Sequence, residues 1–202
     1  MQLETKRLIV RDFRESDAAV LYRLKTDAQV LKYVPDFLDV ELKPEDAVTY
    51  IREFNRIEAE GDADTWRCYA VELKASHTVV GCLCFGKSNM LSEYELGWMM
   101  LAAHGRNGYA SEAAEAFAEY ICEKLALEYL IVVMDVDNPA SYGCAQKAGF
   151  RLFEKRTVYD YSIGRYADDY YYFRRYSSKC TRENKFYGDV PYYGRSTSDQ
   201  RK

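Results

Sequence analysis

The segment Gly105-Arg106-Asn107-Gly108-Tyr109-Ala110-Ser111-Glu112-Ala113 places a glycine-bearing turn directly before an alanine-rich helix. The stretch ahead of it, Tyr94-Glu95-Leu96-Gly97-Trp98-Met99-Met100, reads as a strand. A strand, a tight turn and a helix start together make an anion site. The first helical turn has backbone N–H groups with no intrahelical acceptor and carries the positive end of the macrodipole, which suits a phosphate. Gly108 has no Cβ to hold the backbone away from its ligand. The N–H groups from Arg106 to Ala110, those of Asn107 and Tyr109 among them, are the expected donors, because they need only the turn geometry. The Arg106 side chain is either an added cation for that anion or a solvated surface arginine.

A second segment follows downstream: Asn138-Pro139-Ala140-Ser141-Tyr142-Gly143-Cys144-Ala145-Gln146-Lys147-Ala148-Gly149-Phe150. Asn followed by Pro is the preferred pairing of N-cap and first helical residue. Ser141 then brings a hydroxyl one turn into the new helix. Two carboxylates stand on strands, Glu95 between Tyr94 and Leu96 and Asp160 between Tyr159 and Tyr161. Either can accept a proton from an incoming ammonium, directly or through a water, and either can equally be a solvent-facing strand charge.

Together the two segments resemble the acetyl-CoA-binding motifs of the GCN5-related N-acetyltransferase (GNAT) superfamily. The opening Leu3-Glu4-Thr5-Lys6-Arg7-Leu8-Ile9-Val10-Arg11 and the closing Ile163-Gly164-Arg165-Tyr166-Ala167-Asp168-Asp169 are similar to the branch of the RimJ/RimL-type ribosomal-protein N-terminal acetyltransferases. The resemblance covers residues 3–176 and implies acetyl-CoA as co-substrate, with no metal. It implies that the backbone of Met100, Leu101 and Ala102 meets the pantetheine arm, and that Asn138 approaches the cofactor as well as capping a helix. Members commonly have Gln or Arg, two residues, Gly, one residue, then Gly or Ala; Gly108 and Ala110 conform and Gly105 departs. Many members also place a tyrosine seven residues after the Asn, as the acid for the leaving thiolate. Ala145 stands there in this chain, so Ser141 or a water is the remaining candidate acid. Asp168 and Asp169 match a loop feature of the family and read as structural.

The elements that must position these groups follow from periodicity. Leu8 to Phe13 is a first strand, and Asp17 to Thr26 a helix with Ala18, Leu21 and Leu24 on one side. Tyr33 to Lys43 is an irregular connection. Pro44 opens a second helix to about Glu60, with Ala47, Ile51 and Phe54 at helical spacing. Strands follow at Trp66–Leu73, Thr78–Phe85 and Glu93–Met100. A third helix from Tyr109 has small residues first, and Tyr129 to Asp135 is a continuous apolar strand buried on both faces. A fourth helix spans Pro139 to Ala148 and stops at Gly149, and strands at Phe153–Tyr161 and Asp169–Tyr176 close the domain as a hairpin. The fold class expected is α/β (α+β): one domain, a mixed, largely antiparallel sheet of about seven strands, and four helices. The resemblance makes this the acetyltransferase fold, with strands four and five splayed apart. Residues 177–202 read as a polar tail outside the 3–176 domain.

Composition sets outer limits. A chain of 202 residues with 48% hydrophobic and 30% charged residues is globular and fits one domain. A formal charge of −4 argues against a nucleic-acid-binding surface. No apolar run is long enough to span a bilayer, and the N-terminus is not a signal peptide, so a cytoplasmic protein is expected. The six cysteines form no Cys-x-x-Cys, and Cys82 and Cys84 would share one strand face as small buried hydrophobes. The resulting expectation is direct transfer of acetyl from acetyl-CoA to a primary amine, a protein N-terminal α-amine or a small molecule, by a monomer or homodimer. The rival is an acyl-CoA-binding sensor without turnover. A P-loop enzyme is disfavoured, because no Gly-Lys-Ser/Thr follows the turn.

Overall fold

Apolar residues set β2 (Leu8–Asp12). Leu8 and Val10 project from one face with no exposure, and the strand lies between β1 (Gln2–Glu4) and β3 (Arg67–Leu73). β4 (Val79–Lys87) and β5 (Tyr94–Met100) continue the antiparallel run. β6 (Tyr129–Asp135) follows β5 in parallel, and β8 (Arg165–Tyr176) and β7 (Arg151–Asp160) complete a sheet of order β1-β2-β3-β4-β5-β6-β8-β7. The structure, a computed structural model, describes residues 1–33, 42–87, 92–160 and 165–180, with the side chains of 158–169 left out.

Helices cover both faces. On one, α4 (Tyr109–Lys124) and α5 (Pro139–Lys147) pack on the sheet through Ala113, Ala114, Phe117 and Ala145, against Leu83, Leu96, Leu130, Val132 and Phe173. Two alanines in succession let α4 approach the strands closely, and Phe117, with no exposure, stabilises this layer by about 1.5–3 kcal/mol. On the other, α1 (Ala18–Thr26) and α3 (Asp46–Glu60) bury Leu21, Leu24, Ile51 and Phe54 with Cys68, Cys82, Met99 and Leu101. The short α2 (Ala28–Leu31) is capped by Asp27, whose carboxylate accepts from the Gln29 N–H.

Among the described residues, eight strands and five helices thus stand where about seven and four were expected. The additions are β1, which exists by pairing with β2, and the one-turn α2. Pro44 lies just ahead of α3 rather than inside it, and its C=O accepts the Ala47 N–H. The connection expected at Tyr33–Lys43 falls largely on 34–41, outside the described residues. Ser177–Cys180 pack back on the domain: the Ser177 N–H donates to Glu128, and Lys179 pairs with Glu123 of α4. Residues 181–202 lie outside the described residues.

The feature that matters most for function is the seam between β5 and β6. Seven consecutive pairs join β4 to β5, and seven join β6 to β8. One pair, Glu95 with Ile131, joins β5 to β6. The two strands meet at their starts and part beyond that rung. The backbone of β5 that faces β6 past this point therefore has no strand partner among the described residues, which is the splay expected between the fourth and fifth strands.

Candidate active site

The chain leaves β5 through Leu101 and a 3-10 turn, Ala102–His104, before entering α4. Leu101 is buried in the α1/α3 core and its N–H donates to the Val80 C=O at 3.0 Å, while Met100 packs toward the α4 layer. Gly105 is extended, with φ −62° and ψ 161°. The left-handed bends fall instead on Arg106 (φ 61°) and Gly108 (φ 76°). For Arg106 that conformation costs about 1–2 kcal/mol, strain of the kind that functional turns retain. A Cβ on Gly108 would meet Arg7 Nη2 at 3.5 Å and Ser111 Oγ at 3.8 Å, both ordinary contacts. The glycine therefore serves the backbone angle, and the protein side of the turn is not crowded.

Asn107 braces this turn from within, its amide donating to the carbonyls of His104 (3.2 Å) and Gly105 (3.1 Å). The Glu112 N–H, donating to the Gly108 C=O at 3.1 Å, begins the ladder of α4. The N–H groups of Tyr109, Ala110 and Ser111 precede it and have no acceptor within the helix, so they present a positive edge suited to an anion.

Sequence reasoning assigned no role to Arg7, which reaches this turn from the β1–β2 connection. Its Nε donates to Glu112 at 2.6 Å, its Nη1 donates to the Asn107 C=O at 3.0 Å, and its guanidinium lies 4.7 Å from the Tyr109 ring centre. The Arg7 N–H and the Thr5 hydroxyl also donate to Glu112, at 2.8 and 2.6 Å. Burial pushes the Glu112 carboxyl up, but the hydrogen bonds from Thr5 and Arg7 outweigh it and the group sits below its ordinary value. The signal in the sequence was the Thr5-Lys6-Arg7 segment itself. Nothing local announces that it meets a helix more than a hundred residues away.

At the second motif, Asn138 Oδ1 accepts the Ser141 N–H at 3.1 Å, the cap expected of Asn-Pro. Its amide nitrogen makes no hydrogen bond among the described residues, and neither does the half-buried Ser141 hydroxyl. The Tyr33 hydroxyl donates to the Asp137 C=O at 3.0 Å, tying the end of α2 to the turn before Asn138. Ala145 is completely buried in the core beneath α5, so that position offers no side chain to a thioester. Tyr142 is held edge-on against Tyr171 and Phe173 at 5.3 and 5.0 Å.

Glu95 is half-buried at the single rung between β5 and β6. Residues 95, 97 and 99 alternate with 94, 96 and 98, so Glu95 shares the sheet face of Met99, on the α1/α3 side. Asp160 ends β7 opposite Arg165. Its side chain, and those of Asp168 and Asp169, lie outside the described residues.

Residues 7–151 match the family of acetyltransferase (GNAT) domains. The chain belongs to that family. It is 30% identical over 174 residues to the uncharacterized N-acetyltransferase YnaD of Bacillus subtilis (strain 168), covering 85% of this chain and 95% of the relative. A GNAT-family acetyltransferase from Bacillus anthracis superposes with a TM-score of 0.70 at 26% identity, covering 87% of this chain and 98% of that one. The fold is also that of RimL, a ribosomal L7/L12 alpha-N-protein acetyltransferase solved with coenzyme A, with a TM-score of 0.72 at 18% identity over 88% and 98% of the two chains.

This acetyltransferase uses acetyl-CoA as its co-substrate, as its family does, so the sensor reading gives way to an enzyme. All six of its cysteines are free thiols. Cys144, the one within the second motif, has its thiol pushed up to about 12 by burial. Cys82 and Cys84 do share a face, and Cys68 joins them across the β3–β4 pair; the three sulfurs lie within 4.8 Å of one another in the α1/α3 core. Among the described residues no helix is long and apolar enough to cross a membrane.

Proposed function

We propose that this acetyltransferase moves the acetyl group of acetyl-CoA directly to a primary amine, with a protein N-terminal α-amine or a small amine as acceptor. The single rung at Glu95–Ile131 carries the reading. It opens a gap in which the free β5 backbone pairs with the pantetheine arm, while the turn from Arg106 to Ala110 takes the pyrophosphate. Glu95, at the root of the gap, accepts a proton from the incoming ammonium. The neutral nitrogen then attacks the thioester carbonyl carbon, the tetrahedral intermediate gives up the nitrogen's second proton to solvent as it collapses, and the C–S bond breaks. The thiolate takes a proton from water or from the Ser141 hydroxyl. Asp160 is the rival base. A protonated Cys144 supports direct attack over a covalent acetyl-enzyme. Turnover of acetyl-CoA against a panel of small amines and peptides with free N-termini tests the proposal, and no transfer to any primary amine sinks it.

Two results follow. Because no phenol stands at Ala145, and free thiols titrate near about 8.5, the departing thiolate is protonated by solvent at modest cost. The rate should then rise with pH to a plateau set by the acceptor amine, and Ser141→Ala should cost about tenfold or less. A bell-shaped kcat/KM profile whose alkaline limb vanishes in Tyr142→Phe would reveal a phenol acid. Arg7→Ala should raise the KM for acetyl-CoA about tenfold by loosening the turn and leaving the Glu112 carboxylate unbalanced behind it. S-acetyl-pantetheine, which lacks the pyrophosphate, serves as control: an equal loss with both thioesters would assign Arg7 to the fold alone.

A further inference from the structure

Among the described residues, one buried side-chain polar atom has no hydrogen-bond partner: the hydroxyl of Tyr172. The residue is 3% exposed. A buried orphan hydroxyl is costly, and a phenylalanine would remove the cost at no loss of packing. Such a group calls for something to meet it.

Its position says what. Tyr172 stands opposite Val133 of β6, and Glu95 stands opposite Ile131, two residues earlier on β6. Opposed residues share a sheet face, and so do residues two apart on one strand. Glu95, Ile131, Val133 and Tyr172 therefore project from one face, the α1/α3 side. Since β5 and β6 part beyond the Glu95 rung, Glu95 flanks the gap from the β5 side and Tyr172 from the β8 side.

The neighbouring charges are already engaged. Arg156 and Glu154 of β7 pair with each other at 2.6 Å, with the guanidinium 5.3 Å from the Tyr172 ring centre. Burial pushes the phenol above its ordinary value, Arg156 opposes the shift, and Glu95 and Glu154 add to it. The hydroxyl is therefore neutral at physiological pH, able to accept one hydrogen bond and donate another.

We propose that Tyr172 is an acceptor-binding residue: its phenolic oxygen takes an N–H of the incoming primary ammonium while Glu95 faces the proton that must leave. This rests on the reading of the Glu95 face as the acceptor side. A neutral oxygen and a carboxylate on opposite flanks select a cationic nitrogen and turn its lone pair toward the gap once the proton is gone.

Tyr172→Phe in the full chain tests it, with n-propylamine and a short peptide bearing a free N-terminal amine as the two probes. The acceptor KM should rise about 10- to 100-fold for both, the range of one hydrogen bond to a charged group. Acetyl-CoA affinity by calorimetry should be unchanged, and the melting temperature equal or higher, because the variant loses an unpaired buried hydroxyl. Wild-type acceptor KM values overturn the proposal, and so does a lowered melting temperature, which would make the hydroxyl structural. Glu95→Gln, run alongside, separates the two assignments. Full activity there removes Glu95 as base, yet a raised acceptor KM in Tyr172→Phe still carries the subsite. An inactive Glu95→Gln with a neutral Tyr172→Phe does the reverse.

Discussion

Glu95→Gln should lower turnover about 10²–10⁴-fold with coenzyme A affinity preserved. The amide keeps the length of the carboxylate and one acceptor oxygen and loses the capacity to accept a proton. An ammonium has no lone pair with which to attack a carbonyl, so every turnover waits on that transfer. Glu95 also occupies the rung that joins β5 to β6. That pairing is made by the backbone and survives the change, so the folded protein remains available for the comparison. Rapid-quench rates at saturating acetyl-CoA, with calorimetry for coenzyme A, separate the proton transfer from binding. If Glu95→Gln is fully active and Asp160→Asn is not, the base moves to the end of β7. If both are active, bulk solvent deprotonates the amine.

Gly108→Val should weaken coenzyme A binding by about 2–4 kcal/mol, the scale of several charge-assisted hydrogen bonds lost at once. The glycine has φ 76°, and a β-branched residue resists that angle, so the turn is expected to shift and draw its N–H donors out of line. Inside the protein the new side chain finds room, since the nearest atoms to a Cβ there belong to Arg7 and Ser111 at 3.5 and 3.8 Å. Folding should therefore survive at a cost of about 1–2 kcal/mol for the left-handed backbone. Calorimetry on the folded variant decides the matter: unchanged affinity would remove the turn from the pyrophosphate site.

What could be read from residue order alone was whatever local physics determines. β6 runs from Tyr129 to Asp135, the bounds its unbroken apolar run announces. The cap at Asn138 needs three neighbouring residues, and all of them are contiguous. The start of α4 at Tyr109 follows from Gly108 and the alanines after it. What stayed hidden depends on distant pairing. The polar Gln2–Glu4 is a strand because β2 lies beside it. Cys68 meets Cys84 through the β3–β4 register, and Arg7 meets Glu112 across the whole first half of the chain. Tyr172 was one of 19 tyrosines until the sheet order set it two strands from Glu95. The motif supplied the left-handed Gly108, but Arg106, the second left-handed residue, carries no glycine to mark it.

The seam between β5 and β6 also bears on how the molecule comes apart. A ladder transmits cooperativity through its rungs, and this one nearly lacks them, so the sheet is energetically two blocks: β1 to β5, and β6 with β8 and β7. What binds the blocks into one unfolding unit is α4, whose Phe117 and Ala118 belong to a core that takes in Val10 and Leu83 from the first block and Val132 and Phe173 from the second. Protection against amide exchange in the second block should therefore track the integrity of α4 more closely than that of β5. An occupant that hydrogen-bonds to the free edge of β5 supplies the missing rungs. On the function proposed above, acetyl-CoA is such an occupant, a temporary strand as well as a reagent, and its departure leaves α4 alone to join the two blocks.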